Sequence, residues 1–293
     1  MPKRIALLTD GADWHARALL AAFAATGAAG VPLRLADCGF ATTAPHGLVL
    51  PGFSETLPDA VLVRVVGDGS FEEVTRRLGV LHALHALGVP VWNPATAIER
   101  CVDKSMTSFL LAAAGLPTPP TWTVEGLPAA QQLVAREAGS GVLVLKPLFG
   151  SQGRGLRLVA GPEDLPPAEE MRGVYHLQRY LPASGPDFFD HRLLVCAGDV
   201  IGAMTRRARR WITNVHQGGR PEPFSPDAAM AALAVAAAEA VGARYAGIDV
   251  LRDAAGRALV LEVNSMPAWQ GLQRVTETDI ARRLAEAVLA RLR

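Results

Sequence analysis

Asp249 and Glu262 stand thirteen residues apart in two runs rich in apolar and β-branched residues, Tyr245 to Arg252 and Arg257 to Asn264. Between them lies Asp253-Ala-Ala-Gly256, whose Asp and Gly are turn formers, so the runs are expected to pair as adjacent antiparallel strands. Centring the turn between Ala254 and Ala255 puts Asp249 opposite Val260 and makes Glu262 its diagonal neighbour on the same face, with Asn264 on that face too. Leu259, Leu261 and Val263 then point the other way, into a core. Three oxygen-bearing side chains on one sheet face suit a hard divalent cation, and magnesium bridging substrate phosphates is the natural occupant. A solvated hairpin face would carry the same residues, so the rest of the chain has to decide.

Two further groups could meet phosphates. Gly150-Ser151-Gln152-Gly153-Arg154-Gly155 falls between two expected strands, not between a strand and a helix, and lacks the Gly-Lys-Ser/Thr ending of a Walker loop. A glycine-rich turn of this kind can fold over a triphosphate, with backbone N–H groups donating where side chains would collide, or it can be an ordinary turn. Lys146, at the end of the strand before it, could place an ammonium against the phosphates. Lys104, taken alone, reads as a surface lysine.

These residues need elements to hold them. Strand-like runs at Arg4 to Leu8, Val31 to Leu35, Ala60 to Val66 and Pro90 to Trp92 alternate with helical stretches at Trp14 to Thr26 and Phe71 to Leu87, which implies a parallel sheet covered by helices. Asp103 is placed to cap a helix from Lys104 to Ala114, with Gly115 as its stop and Pro117, Pro119 and Pro120 as a stiff connector. A helix near Leu127 to Ala138 and strands at Val142 to Lys146, Leu156 to Val159 and Val174 to Tyr180 follow. Leu181 to Asp190 reads as a hinge. Strands at Arg192 to Cys196 and Val200 to Arg206, a helix from Pro226 to Val241, the hairpin and a last helix from Ile280 to Leu292 complete the order.

Composition narrows the class. Of 293 residues half are hydrophobic and 19% charged, enough to bury a large core in two or three packed units. A net charge of +1 gives no field for nucleic acid or an anionic membrane. The cluster Arg206, Arg207, Arg209 and Arg210 has only Trp211 as an aromatic neighbour, so an anionic substrate, or else a solvated basic turn, is the better reading than nucleic acid. Cys38, Cys101 and Cys196 are widely spaced and suit neither a zinc site nor a disulfide framework. The apolar stretch at the amino terminus ends at Asp10, too short for a signal peptide or a membrane span, and a cytoplasmic location is expected.

The order of these pieces carries more than any one of them. Asn93-Pro, Asp103-Lys104, Gly115-Leu-Pro-Thr-Pro119, Lys146-Pro with its glycine loop, Gln178-Arg-Tyr-Leu181, Asp190-His-Arg192, Asp249 and Glu262-Val-Asn264 together resemble the ATP-grasp superfamily. Trp211-Ile-Thr-Asn-Val-His-Gln-Gly-Gly219 and Asn264-Ser-Met-Pro-Ala-Trp-Gln-Gly-Leu272 are similar to the ribosomal protein S6 modification (RimK) branch of α-L-glutamate ligases and its relatives. The resemblance implies a Rossmann-like α/β domain over residues 1–93, then an α+β ATP-grasp unit of two subdomains, 94–183 and 184–293.

It also implies roles. Lys104 and Lys146 would hold phosphates beneath the loop Gly150, Ser151, Gln152, Gly153 and Gly155; Gln178, Arg179, Tyr180 and Leu181 would form the hinge against adenine; Asp190 and Arg192 would contact nucleotide. Asp249, Glu262 and Asn264 would ligate two magnesium ions, or manganese in their place. Arg206 and Asn214 would face the transferred phosphoryl group or the substrate, Lys146 would join them in catalysis, and His216 would touch substrate. The implied reaction phosphorylates a carboxylate with ATP and lets an amine displace phosphate, adding L-glutamate to a pterin- or deazaflavin-type cofactor or to a protein or carrier-protein acid. An ATP-grasp kinase acting on a hydroxyl is the alternative, and a homodimer or homotetramer the implied assembly. The chain departs from many relatives in having Arg179 where an acidic ribose contact is usual, a role Asp187 or Asp190 could take over, and Ile212-Thr213 before Asn214.

Overall fold

A computed structural model describes residues 1–150, 152–182 and 188–292. Its first sheet is wholly parallel. The strands are β1 (Arg4–Leu8), β2 (Ala29–Leu33), β5 (Ala60–Val63) and β6 (Val91–Trp92), in the order β2-β1-β5-β6, while β3 (Gly39–Phe40) and β4 (Leu48–Val49) form a small hairpin aside. Helices α1 (Trp14–Ala25) and α2 (Phe71–Ala86) make the crossovers. Asp13 caps α1 and Ser70 caps α2 in a reciprocal box with Glu73, satisfying amide groups that the first turn leaves open. Strand β2 begins two residues earlier than expected and ends at Leu33, because its register runs from Arg4↔Ala29 to Leu8↔Leu33. Leu35 is buried nonetheless, in the 3-10 turn Leu35–Asp37.

Two helices follow, α3 (Ala95–Val102), which the sequence reading did not anticipate, and α4 (Lys104–Ala113), whose cap is Asp103 as expected. The proline connector opens straight into β7 (Thr121–Glu125), an unanticipated edge strand. With α5 (Leu127–Glu137), β8 (Leu143–Lys146), β9 (Arg157–Val159) and β10 (Val174–Arg179) it builds a second, antiparallel sheet ordered β7-β10-β8-β9 around a separate core of Leu133, Leu145, Tyr175 and Leu177.

The third sheet, β13-β12-β11-β14-β15, is also antiparallel. Its strands are β11 (Phe188–Cys196), β12 (Asp199–Ala208), β13 (Arg220–Pro223), β14 (Tyr245–Arg252) and β15 (Ala258–Asn264). One face packs on α6 (Ala228–Val241); α7 (Gln270–Gln273) and α8 (Ile280–Ala290) cover the other side, where α8 also meets α1. Phe188 to Asp190, read from sequence as hinge, already belong to β11. Cys38, Cys101 and Cys196 are free and buried, and burial pushes their thiols up to about 11, 12 and 12.

The first and third sheets share one core. Ile5, Phe23, Leu62 and Trp92 pack with Leu194, Met204, Tyr245, Trp269 and Leu284. At the seam Asn93 is fully buried and uses its whole amide: Nδ2 donates to the Tyr245 and Ser265 carbonyls, both at 2.6 Å, and Oδ1 accepts from the Arg244 and Tyr245 amides at 2.6 and 3.1 Å. A buried side-chain amide needs such complete pairing to be tolerated. No helix among the described residues is long and apolar enough to cross a membrane.

Candidate active site

The expected hairpin exists, with a different register. Val250 faces Val260 and Asp249 faces Glu262, because Leu261 is an extra residue in a β-bulge. The expected Asp249–Val260 pairing is therefore corrected by two positions, one from the bulge and one from a turn centred on Ala255. Val260 takes the core place foreseen for Leu261, and Leu261 turns toward the cleft beside Glu262. The carboxylates of Asp249 and Glu262 become direct cross-strand neighbours. Asn264 lies opposite Gly247.

A second bulge, between Leu194 and Val195, sets the pairing of β11 with β12 so that Asp190 faces Arg206, while Arg192 on the same face of β11 faces Asp249 on β14. The result is a row of alternating charge across three strands, to which β15 adds the second carboxylate, Glu262. Arg206 donates Nε to Asp190 at 2.8 Å and Nη2 to both Asp190 and, at 3.1 Å, Asp249. Arg192 grips Asp249 with two bonds of 2.7 Å. Asp190, Arg206 and Asp249 are each at most 5% exposed. Burial alone would raise the Asp249 pKa, yet Arg192 and Arg206 hold it below the usual carboxylate range. Burial opposes the charge on Arg206 as well, and Asp190 and Asp249 raise its pKa despite that.

Facing this row across a cleft are the two lysines. Lys146 ends β8 and donates to Gln178 Oε1 at 2.7 Å; Gln178, buried on β10, is fixed in turn by donating to Thr121 Oγ1 at 3.2 Å. Lys104, in the first turn of α4, donates to the carbonyls of Leu148 and Gly150 at 3.2 and 2.9 Å and so ties the glycine loop down. Burial lowers the pKa of both lysines, against the opposing pull of Glu262. His176, opposite Lys146 in the sheet and bonded through Nδ1 to Thr123 Oγ1 at 2.9 Å, is pushed down to about 3 by burial and by the two ammonium groups.

The loop itself needs its glycines. Gly153 and Gly155 have φ of +71° and +72°, and a Cβ at Gly153 would lie 2.5 Å from Asn214 Oδ1 and 2.8 Å from Ile212. The loop thus presses on the Trp211 to Gly219 string, where Arg154 also reaches His216 Nε2 at 3.4 Å. Gly219 is required there too, since a Cβ would sit 1.9 Å from the Thr213 carbonyl oxygen.

One cleft therefore collects Lys104, Lys146, Gly150, Gln152, Gly153, Gln178, Arg179, Tyr180, Leu181, Asp190, Arg206, Asn214, Asp249 and Glu262. Arg192 and Gly155 stand behind its wall, one holding Asp249 and the other against Pro147. Asn264 is outside the lining, with its Nδ2 buried and unpartnered among the described residues. Ser151 and Asp187 lie outside the described residues. The Arg179 side chain leaves the cleft: it bonds Glu137 Oε2 at 3.0 Å and the carbonyls of Gly141 and Glu137. Of the arginine cluster, Arg206 is buried in the row, Arg207 binds Glu222, and Arg209 and Arg210 are exposed beside Trp211. The edge-to-face contact of Trp211 with Tyr180, at 6.1 Å, joins the string to the hinge and was not foreseen. Both residues sit in motifs already singled out, which was the available signal.

The donor set suits a hard cation. Glu262 lines the cleft and receives no hydrogen bond among the described residues, Asp249 adjoins it, and Asn264, two residues along β15, carries an amide oxygen. The glycine cradle and the two ammonium groups suit a polyphosphate.

Two antiparallel sheets closing on such a cleft, with a covering glycine loop, are the arrangement of an ATP-grasp ligase. The chain belongs to the RimK-like ATP-grasp family, whose model matches residues 101–288. It is 37% identical over 233 residues to the tetrahydromethanopterin:α-L-glutamate ligase of Methanococcus maripaludis, covering 78% of this chain and 77% of that one. A probable α-L-glutamate ligase of Legionella pneumophila is 30% identical, over 83% and 78%. The crystal structure of a RimK domain ATP-grasp protein from Sphaerobacter thermophilus superimposes with a TM-score of 0.70 at 26% identity, over 98% of this chain and 99% of that one. Membership makes this protein an ADP-forming ligase.

Proposed function

We propose that the protein couples ATP hydrolysis to amide formation, adding L-glutamate to the carboxylate of a small cofactor of pterin or deazaflavin type, or of a protein or carrier-protein acceptor. One observation carries this reading: Arg206, Asp190, Asp249 and Glu262 face Lys104 and Lys146 across one cleft, so fixed charges of both signs surround the place where a polyphosphate would lie. The relatives from Methanococcus maripaludis and Legionella pneumophila are both named for α-L-glutamate, and only the first also for the pterin.

A carboxylate is a poor electrophile, and phosphorylation supplies its leaving group. A substrate carboxylate oxygen attacks the γ-phosphorus, the β,γ bond breaks and ADP leaves. The amine nitrogen then attacks the acyl carbon, phosphate departs and the nitrogen loses a proton. The protein's part is to hold the reactants and offset oxygen charge. Lys146, steadied by Gln178, and Lys104, at the loop carbonyls, would supply ammonium groups to the phosphates. Arg206 keeps Nη1 outside its bonds to Asp190 and Asp249 and reaches the cleft wall, where Asn214 also stands. Glu262, with Asp249 and Asn264, would hold magnesium, which when bound neutralises phosphate oxygens and acts as a Lewis acid. Asp190 and Arg192 act here as the framework that fixes Arg206 and Asp249, and a cytoplasmic setting with ATP at hand fits the reaction.

The test measures ADP release with magnesium and ATP across a panel pairing L-glutamate and other amino acids with pterin, deazaflavin and peptide acids, with mass spectrometry of products. An acceptor heavier by one glutamyl residue is the expected result, and its further growth would reveal repeated addition. Trapping with hydroxylamine should yield a hydroxamate from the acyl phosphate. A phosphorylated alcohol with no hydroxamate would replace this reading with a kinase.

A further inference from the structure

Away from the cleft, and sharing no residue with it, a groove of ≈ 560 Å³ opens between α6, α8 and the ends of β6, β11 and β14. Its walls are kept back by small side chains such as Ala243 and Ala290, and the space far exceeds the roughly 30 Å³ share of one water. Two buried donors on residues that line it lack any acceptor among the described residues. Trp92 is 2% exposed and its Nε1 is buried without a partner; Arg244 lies over the Trp92 ring at 5.7 Å, and its Nη1 is likewise buried and unpartnered. A buried donor left unpaired costs about 1–3 kcal/mol, more for a charged group, so two at one spot call for a ligand that accepts.

The charge points the same way. Arg291 joins Arg244 in the lining, and Glu239 is the acidic residue there; neither arginine forms an ion pair among the described residues. Burial and the nearby charge of Arg291 both lower the Arg244 pKa, as expected for a guanidinium without a counter-ion. The main chain here is anchored, because the Arg244 and Tyr245 amides donate to Oδ1 of Asn93, the residue after Trp92.

We propose that this groove is a second binding site, for a small oxyanion such as a carboxylate or phosphate, recognised by the Trp92 indole N–H and the Arg244 guanidinium. The anion's oxygens accept from both orphaned donors and supply the missing negative charge, and an attached apolar stem fits the alanine-lined walls.

The experiment follows the Trp92 indole N–H signal in the intact protein, assigned by its loss in Trp92→Phe. Sodium phosphate and sodium citrate are titrated in turn against sodium chloride at matched ionic strength. The expected result is a saturable shift with one or both anions, at least tenfold weaker in Arg244→Met, which keeps the backbone amide bound by Asn93. The anion that shifts the signal separates a phosphate site from a carboxylate site. The melting temperature of each variant is recorded first, and Arg291→Ala, which leaves both donors in place, serves as a second variant with an expected intermediate weakening. No shift, a shift equal to that in chloride, or full binding by folded Arg244→Met would overturn the site.

Discussion

Asp249 and Glu262 face each other directly across β14 and β15, and they do so only because Leu261 is bulged out of the ladder between them. The pairing sets an arginine-clamped carboxylate beside one that receives no hydrogen bond among the described residues. Such a pair repels itself unless a cation lies between or beside it.

Glu262→Gln should accordingly remove ADP formation while leaving the fold intact. The carboxylate makes no bond whose loss would cost stability, so the melting temperature is expected to stay within a few degrees of the parent. The drop in kcat should be on the order of 100-fold or more, as when a group aimed at developing charge is lost. Unchanged ADP release with the true acceptor would remove Glu262 from the metal site.

Arg206→Met leaves the buried carboxylates of Asp190 and Asp249 without their shared partner. Breaking one member of a buried ionic network typically costs about 3–5 kcal/mol. Denaturant unfolding should show a loss of that size, and a second change, Asp190→Asn, should recover part of it by removing one stranded charge. A loss comparable to that of a surface substitution would mean that the row is not closed as described.

Gly153→Ala meets two obstacles, the positive φ and the contact with Asn214 and Ile212. The expected stability loss is about 1 kcal/mol from the backbone alone. The larger effect should fall on the KM for MgATP, on the order of tenfold, because the loop has to lift from the Trp211 string to make room. A raised KM for the acceptor alone would shift the loop's role toward that substrate.

His176 ties stability to acid. Its pKa near 3 in the fold lies below the ordinary value of 6.5, so between those limits the unfolded chain binds the extra proton. Its contribution is complete above about pH 6.5 and is lost as pH falls toward 3, at a slope approaching about 1.4 kcal/mol per pH unit. Unfolding free energies measured from pH 7 to 4 should fall less steeply in His176→Asn than in the parent. Equal slopes would show that the imidazole is protonated in the folded protein.

Much of the architecture was legible from local chemistry. Asp103 before Lys104 and the Asp253 to Gly256 turn mark their elements unambiguously, because capping and turn formation depend on a few adjacent residues. Register was not. The observed turns at Ala197-Gly198 and Asp253-Gly256 would, without bulges, place Asp190 against Thr205 and Asp249 against Leu261. A bulge in each hairpin moves both carboxylates by one position, onto Arg206 and Glu262. Nothing near Leu194 or Leu261 signals the extra residue, since the shift is decided by what the opposite strand and the helices behind it can bury. For the same reason Arg206, read as a cation for the transferred phosphoryl group, proved also to be the central brace of the row. Strand β7 was missed because its single alternating stretch Thr121-Trp-Thr-Val follows two prolines that dominate the local pattern.

The core shared by the first and third sheets bears on how the enzyme can be cut. A fragment beginning near residue 101, where the family match starts, would strip Ile5, Phe23, Leu62 and Trp92 from Tyr245, Trp269 and Leu284 and leave Ser265 without its Asn93 anchor. The hairpin that carries Glu262 would then hang from a sheet with one side bared to water. The amino-terminal ninety or so residues are thus an internal buttress of the hairpin that carries Glu262, and a fragment lacking β1 is expected to lose its fold.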